Sequence, residues 1–451
     1  MKKISSILLL ILISAAVFAA KPKYVFYMIG DGMGLNHVQA TVVYNQATGG
    51  PEVNFNNFPI RTYVTTRSAN SGVTDSAAAG TALATGTKTN NGNLGTDPDA
   101  KPLVSLAEMA KAKGYAAGVA TSVGVNHATP GAFYGKVKNR GEYNTIAEQL
   151  IAHNLDFAAG ECFLVENGKG MTSADFARKA RENGINVFVG KDEVKDVKGR
   201  VIMLANGDFC PPSIDRKEGD TRLEDFTAAA INHLYKTSPK GFFLMVEGGK
   251  IDYAAHGQDA GWVVNEVNDF CRSIDLALAF MKKHPSETLI IVTSDHETSA
   301  LSLGAGKYAL LPELLAYQKC SINTLSEGIT KLSKKGEEVS WAEFRDFLKD
   351  NTGLFGPVEV SDKEKAVLAE MYKETFICNT DKEEKNLYAT NKAVALEALR
   401  YLYKKAGLTL PIRSHSGANV GLFVKGAGAE KFLECRDNTD IPKTIAKLAG
   451  Y

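Results

Sequence analysis

The polar residues at the ends of apolar runs are Asp31, Ser76, Glu247, Asp252, His256, Asp295, His296 and His415. Asp252 and His256 are four positions apart, one helical turn, so their ligand-type groups can face one point. Carboxylate with imidazole and no thiolate suits zinc in a catalytic site, and an all-oxygen subset suits magnesium. Ser76 lies in the run Val73–Gly86, VTDSAAAGTALATG, which reads as a loop ending where a tightly packed helix begins. Free N–H groups and the positive end of the helix dipole would face its hydroxyl, a place where a phosphate can be held while a serine attacks it. Each feature alone has a plainer reading: Asp75 or Ser76 as an N-cap, a lone Asp after a strand as a turn former. Convergence on one edge is what turns them into a site.

The elements that would carry them alternate. Tyr24–Ile29 is a continuous apolar run that stops at Gly30-Asp31-Gly32, the pattern of a fully buried strand delivering a carboxylate to its C-terminal edge. Helices are expected at 35–46, 104–113, 143–153, 173–183, 223–235 and 262–283, and strands at 61–65, 116–122, 185–189, 241–246 and 288–293. Strands 241–246 and 288–293 run directly into Glu247 and Asp295. Such alternation predicts an α/β three-layer sandwich, a large mostly parallel sheet with helices on both faces, and ligands bind at the C-terminal strand edge of such sheets. Between 304 and 405 helical patterns and dense charge take over with no strand-like run, which predicts a helical insertion, a cap or partner surface. The chain then returns through Ser414-His415-Ser416-Gly417 to a strand at 420–424 and a helix at 442–448.

Of the 451 residues, Met1–Ala20 reads as a secretory signal, with Lys2 and Lys3, an apolar stretch and small residues at its end. No later run is long and apolar enough to span a membrane, so a periplasmic or secreted protein is expected for residues 21–451. The net charge of +1, with both signs mixed along the chain, offers no nucleic-acid track or membrane face and favours small-molecule chemistry. Six dispersed cysteines contain no C-x-x-C pair and argue against a thiolate zinc site; an oxidising compartment permits disulfides without choosing a pairing. His37, His153, His233 and His284 fall in helical patterns and read as solvated or structural.

Six stretches together resemble the alkaline phosphatase family of zinc-dependent phosphomonoesterases: IGDGMG at 29–34, TDSAAAGTA at 74–82, NHATPGAFYGKVKNR at 126–140, VEGGKID with His256, TSDHE at 293–297 and SHSG at 414–417. The resemblance implies that Asp252, His256 and His415 bind one zinc, and Asp31, Asp295 and His296 a second beside Ser76. It also implies that Asp31, Thr129 and Glu247 bind magnesium and that Arg140 grips the phosphoryl oxygens. Two zinc ions roughly 4 Å apart can stabilise the attacking and leaving oxygens of an in-line displacement through a phosphoserine. A planar guanidinium offers the phosphate two donors that a lysine could not.

Two positions depart from the best-known bacterial form, which has an acidic residue where this chain has His127 and a lysine where it has Tyr253. Both lie around magnesium and phosphate and bear on how each is held. The rival readings are a phosphodiesterase or sulfatase-like hydrolase of the same fold, and a catalytically silent phosphate- or metal-binding protein. The expected partners are small phosphate monoesters, and the oligomeric state is left open, a homodimer among the choices. The insertion, without any residue of the matched metal set, is expected to shape substrate access or a subunit contact.

Overall fold

The computed structural model describes residues 21–451 except 167–170, 192–193, 305–307, 335–338 and 381. The leader read at 1–20 lies outside the described residues. The long strands are β1 (Tyr24–Gly30), β2 (Ile60–Val64), β3 (Ala116–Thr121), β4 (Phe157–Gly160), β5 (Asn186–Val189), β6 (Val201–Leu204), β7 (Phe242–Gly248) and β8 (Thr288–Thr293). Short ones follow: β9 (Glu297–Thr298), β10 (Ser302–Leu303), β11 (Glu383–Lys385), β12 (Thr390–Lys392), β13 (Leu408–Thr409) and β14 (His415–Ser416); the last is β15 (Val420–Gly426). Nine strands form one sheet in the order β2-β15-β8-β1-β7-β3-β4-β6-β5. Its pairs are parallel except those of β15, which runs antiparallel to both β8 and β2.

Alternate residues of β1 face opposite layers, as the strand period requires. Val25, Tyr27 and Ile29 pack with helices α2 (Ser76–Thr85), α3 (Leu106–Ala112), α5 (Tyr143–Ala152) and α14 (Asp440–Ala449), and the short α4 (Ala128–Gly131) lies in the same layer. Tyr24, Phe26 and Met28 pack with α7 (Leu223–Thr237) and α9 (Ala260–Lys283) on the other face. The sheet is thus covered on both sides, which is why β1, β7 and β8 are continuously apolar. Register sets the site: Ile29 lies opposite both Glu247 and Thr293, so Asp31 and Asp295, each two residues further, emerge level at one edge.

Two expectations need correcting. β4 and β6 were not anticipated, because FAAG and VIML are only four residues long and carry no alternation. The stretch 304–405 does contain strands: β11 and β12 pair as a hairpin whose sequences, EEK and TNK, show no apolar signal and are closed by backbone bonds and a Lys392–Glu383 ion pair of 3.0 Å. Around that hairpin the insertion is helical, with α10 (Ile322–Ser333), α11 (Trp341–Thr352), α12 (Asp362–Tyr372) and α13 (Ala393–Ala406). Its Ile322, Phe344, Leu348 and Leu399 share a core with Trp262 and Val263 of α9 and with Ala254 and Ala255 of α8 (Lys250–His256). All six cysteines are free thiols.

Candidate active site

Ser76 is the first residue of α2, with Asp75 as its N-cap accepting from the Ala78 N–H at 3.0 Å. The capping role therefore falls to Asp75 and not to Ser76. α2 is built of small residues because it lies hard against α4: a Cβ on Gly80 would sit 3.2 Å from the Thr129 Cα. That approach brings Thr129, on α4, and Ser76, on α2, to the same end of the sheet. The Ser76 Oγ is 3.0 Å from His296 Nε2, and both residues are buried.

The histidine tautomers follow from their outer partners. His256 Nδ1 lies 2.6 Å from the Arg413 carbonyl and His415 Nδ1 lies 2.8 Å from the Thr74 carbonyl, so each donates there and leaves its Nε2 lone pair facing inward. Thr298 donates to Asp252 Oδ1 at 2.5 Å and so accepts from His296 Nδ1 at 3.3 Å, which leaves the His296 Nε2 lone pair inward as well. Burial, reinforced by His415, keeps His296 neutral by pushing its pKa well below the ordinary imidazole value. Burial lowers His415 too.

The inward atoms have the spacing of a four-coordinate ion. Two donors at zinc-type bond lengths on one tetrahedral centre are roughly 3.3–3.6 Å apart. His256 Nε2 is 3.2 Å from His415 Nε2 and 3.4 Å from Asp252 Oδ2. His296 Nε2 is 3.2 Å from Asp295 Oδ2 and 3.4 Å from Asp31 Oδ1. Among the described residues, the sets Asp252–His296–His415, Asp31–Asp295–His296 and Asp31–His127–Glu247 each bring their ligand atoms within 4.8 Å of one another. His296 thus lies in reach of two sets, and His127 enters the third beside Thr129, whose Oγ1 is 3.5 Å from Asp31 Oδ2.

Asp31 Oδ1, Asp295 Oδ2 and Glu247 Oε1 are buried without a hydrogen-bond donor. Burial, with Asp295, Asp252 and Glu247 nearby, pushes the Asp31 carboxyl well above the usual carboxylate range. The same desolvation raises Asp295 to about 8 and Glu247 to about 7. Buried acceptors of one sign with no donor are costly unless a cation joins them, so the residues present fit metal ions.

Arg140 lies half-buried beside this cluster. Its Nη1 is 3.4 Å from Asp75 Oδ2 and its Nη2 donates to His127 Nε2 at 3.2 Å. An arginine cannot accept, so His127 is neutral; burial and then Arg140 lower its pKa to about 3. Tyr253 stacks on Tyr388, ring centroids 3.6 Å apart at 18°, and the Tyr388 hydroxyl donates to Asp252 Oδ2 at 2.9 Å.

Every residue expected from the sequence is therefore within this cluster, and several neighbours were not foreseen. Thr298 and Thr121 hold Asp252 and Glu247 through their hydroxyls. Asp75 both caps α2 and pairs with Arg140. Thr298 directly follows the TSDHE run and could have been noticed; Tyr388 sits in a segment with no pattern pointing to the site. His37, read as solvated or structural, is structural: it is fully buried, takes the Gly34 N–H at 3.1 Å and is pushed down to about 4 by burial.

A family model described as alkaline phosphatase matches residues 22–160 and 191–451. Alkaline phosphatase 4 of Bacillus subtilis is 29% identical over 447 residues, covering 95% of this chain and 89% of that protein. Alkaline phosphatase of Schizosaccharomyces pombe is 30% identical over 341 residues, 68% of this chain and 63% of that one. Among solved structures, the cold-active alkaline phosphatase of a psychrophilic Shewanella sp. aligns with a TM-score of 0.78 at 25% identity, covering 94% of this chain and 99% of its own. The Thermus thermophilus alkaline phosphatase aligns with a TM-score of 0.77 at 25% identity, covering 95% and 92%.

Proposed function

Because the chain belongs to the alkaline phosphatase family and is a phosphatase, we propose that it hydrolyses phosphate monoesters in two steps through a phosphoserine on Ser76. The observation that carries this reading is the Ser76 hydroxyl 3.0 Å from His296 Nε2, at a helix start and beside buried carboxylates that lack donors. In the first step Ser76 Oγ attacks phosphorus and the alcohol leaves; in the second, water attacks the phosphoserine and releases inorganic phosphate.

Arg140 binds non-bridging phosphoryl oxygens. Burial works against its charge, but Tyr388, Asp75, Tyr143 and Asp31 raise its pKa above the free value, so it stays a cation. Asp75 orients the guanidinium from one side and His127 from the other. A monoester offers oxygens that this fork can hold, whereas a diester replaces one of them with an alkoxy group.

We assign zinc to Asp252, His256 and His415 and to Asp31, Asp295 and His296, and magnesium to Asp31, Thr129 and Glu247. When bound, these ions supply Lewis-acid stabilisation of the attacking and leaving oxygens. Imidazole with carboxylate suits zinc, and the oxygen set suits magnesium. The main-chain carbonyls on His256 and His415 hold each ring in the tautomer a ligand needs.

The Met1–Ala20 leader pattern supports a periplasmic or secreted location, and no helix among the described residues is long and apolar enough to cross a membrane. The insertion is a cap over the catalytic domain, and a homodimer is the assembly to test. Turnover of matched chromogenic aryl mono- and diesters, with zinc and magnesium content measured on the same sample, tests the function. Monoester hydrolysis should dominate. Metal-replete protein that turns over neither ester, or prefers the diester, would overturn the proposal.

A further inference from the structure

The insertion reaches the site through the turn of its β11–β12 hairpin. Asn386 fixes that turn, its Oδ1 accepting from the Tyr388 and Ala389 N–H groups at 2.8 and 2.7 Å and its own N–H donating to the Ala389 carbonyl at 2.9 Å. Tyr388 is thereby aimed inward. Its ring stacks on Tyr253, the residue after Asp252, and meets the His256 ring edge to face at 5.3 Å. Its hydroxyl donates to Asp252 Oδ2 at 2.9 Å, while Thr298 holds Oδ1 from the other side.

A second tie comes from the same hairpin. Glu384 on β11 pairs with the Arg413 guanidinium at 2.7 Å, and the Arg413 carbonyl is the group that orients His256. Arg413 also donates from Nε to Gln258 at 2.9 Å and lies two residues before His415. The hairpin is therefore connected to Asp252 through Tyr388 and to the histidine side of the set through Glu384 and Arg413.

We infer that the hairpin Glu383–Lys392 is a latch on the Asp252–His256–His415 site and that Tyr388 is a positioning residue which sets how long this site retains its cation. The inference rests on the reading of those three residues as zinc ligands. A carboxylate gripped at both oxygens is held in one orientation; freed at one, it rotates away from the ion more often. Loss of such an outer partner lowers metal affinity by about 10- to 100-fold. Tyr253 and the stacked ring keep Tyr388 in place by apolar contact, so removing the hydroxyl alone separates positioning from packing.

The test is zinc release from the fully loaded protein to a chromogenic chelator, followed in the wild type, Tyr388→Phe, Glu384→Gln and Leu387→Ala. Leu387 is 62% exposed in the same turn and serves as the control. Tyr388→Phe should speed one release phase about 10-fold or more and leave the other phase unchanged. Glu384→Gln should shift the same phase in the same direction, and Leu387→Ala neither phase. Identical release from wild type and Tyr388→Phe would overturn the latch alone, as would equal acceleration of both phases. Wild-type protein that takes up no zinc would overturn the reading of the ligands and the latch with it.

Discussion

His256 and His415 turn their Nε2 atoms toward each other across 3.2 Å, and each is locked in that orientation by a main-chain carbonyl on its Nδ1. Two lone pairs at that separation repel unless a cation or proton lies between them. Stripping the protein with a chelator should therefore abolish activity, and zinc with magnesium should restore it. Elemental analysis alongside turnover checks this; full activity with verified metal loss would rule the mechanism out.

Metal-free protein should show a distinct pH dependence. Asp295 and Glu247 sit at about 8 and 7 in the folded state, above the ~3.9–4.3 of an unfolded chain. The folded state thus binds more protons than the unfolded one up to those values, and its stability falls as pH rises through them. Below about 6.5 the depressed His37 and His127 act in the opposite sense, because unfolded imidazoles take up protons there while the folded ones do not. The melting temperature of the metal-free protein should accordingly drop between roughly pH 6.5 and 8.5, and zinc loading should remove that drop. A flat profile in the metal-free protein would contradict it.

Ser76→Ala should eliminate the phosphoserine and lower turnover by several orders of magnitude, since the covalent step divides the reaction in two. Acid quenching during turnover followed by mass analysis of the peptide around residue 76 reads the intermediate directly. Wild-type turnover in the variant would remove Ser76 from the mechanism.

Arg140→Ala removes a charge-assisted contact on the order of 2–3 kcal/mol, so kcat/KM for monoesters should fall by roughly one to two powers of ten. Diester hydrolysis should change much less. Equal losses on matched substrates would mean that Arg140 acts through Asp75 and His127, with which it pairs, and not on the phosphoryl group.

Gly32→Ala should damage the site by crowding Asp252, although Gly32 itself offers no ligand atom. Gly32 has a φ of +69°, and an added Cβ would sit 2.7 Å from Asp252 Oδ1 and 2.8 Å from Thr298 Oγ1. The backbone term alone is about 1–2 kcal/mol. A lower melting temperature together with weaker zinc binding is expected; unchanged values in both would show that the carboxylate accommodates the methyl.

Sequence made the catalytic edge legible because its strands announce themselves. β1, β7 and β8 are uninterrupted apolar runs that end in Asp31, Glu247 and Asp295, and burial on both faces imposes that signature. β4 and β6 were lost because four residues of FAAG or VIML cannot be told from the flank of a helix. The hairpin at 383–392 was lost for a different reason: its pairing is carried by main-chain bonds and one ion pair, and its Tyr388 finds Asp252 only in three dimensions. The carbonyls of Arg413 and Thr74 that orient the histidines have no sequence signature, since every residue carries one.

β15 slots antiparallel between β8 and β2, and β14, which bears His415, pairs with β9 just beyond Asp295 and His296. A growing chain completes Asp252 and His256 long before it has made these strands. Until they arrive, β2 has no neighbour in the sheet and the proposed set Asp252–His256–His415 lacks its third residue. If Asp252, His256 and His415 hold one ion, that set is complete only once the segment just before the sheet's last strand is in place, so ion binding and the closing of the sheet's β2 edge depend on the same C-terminal stretch.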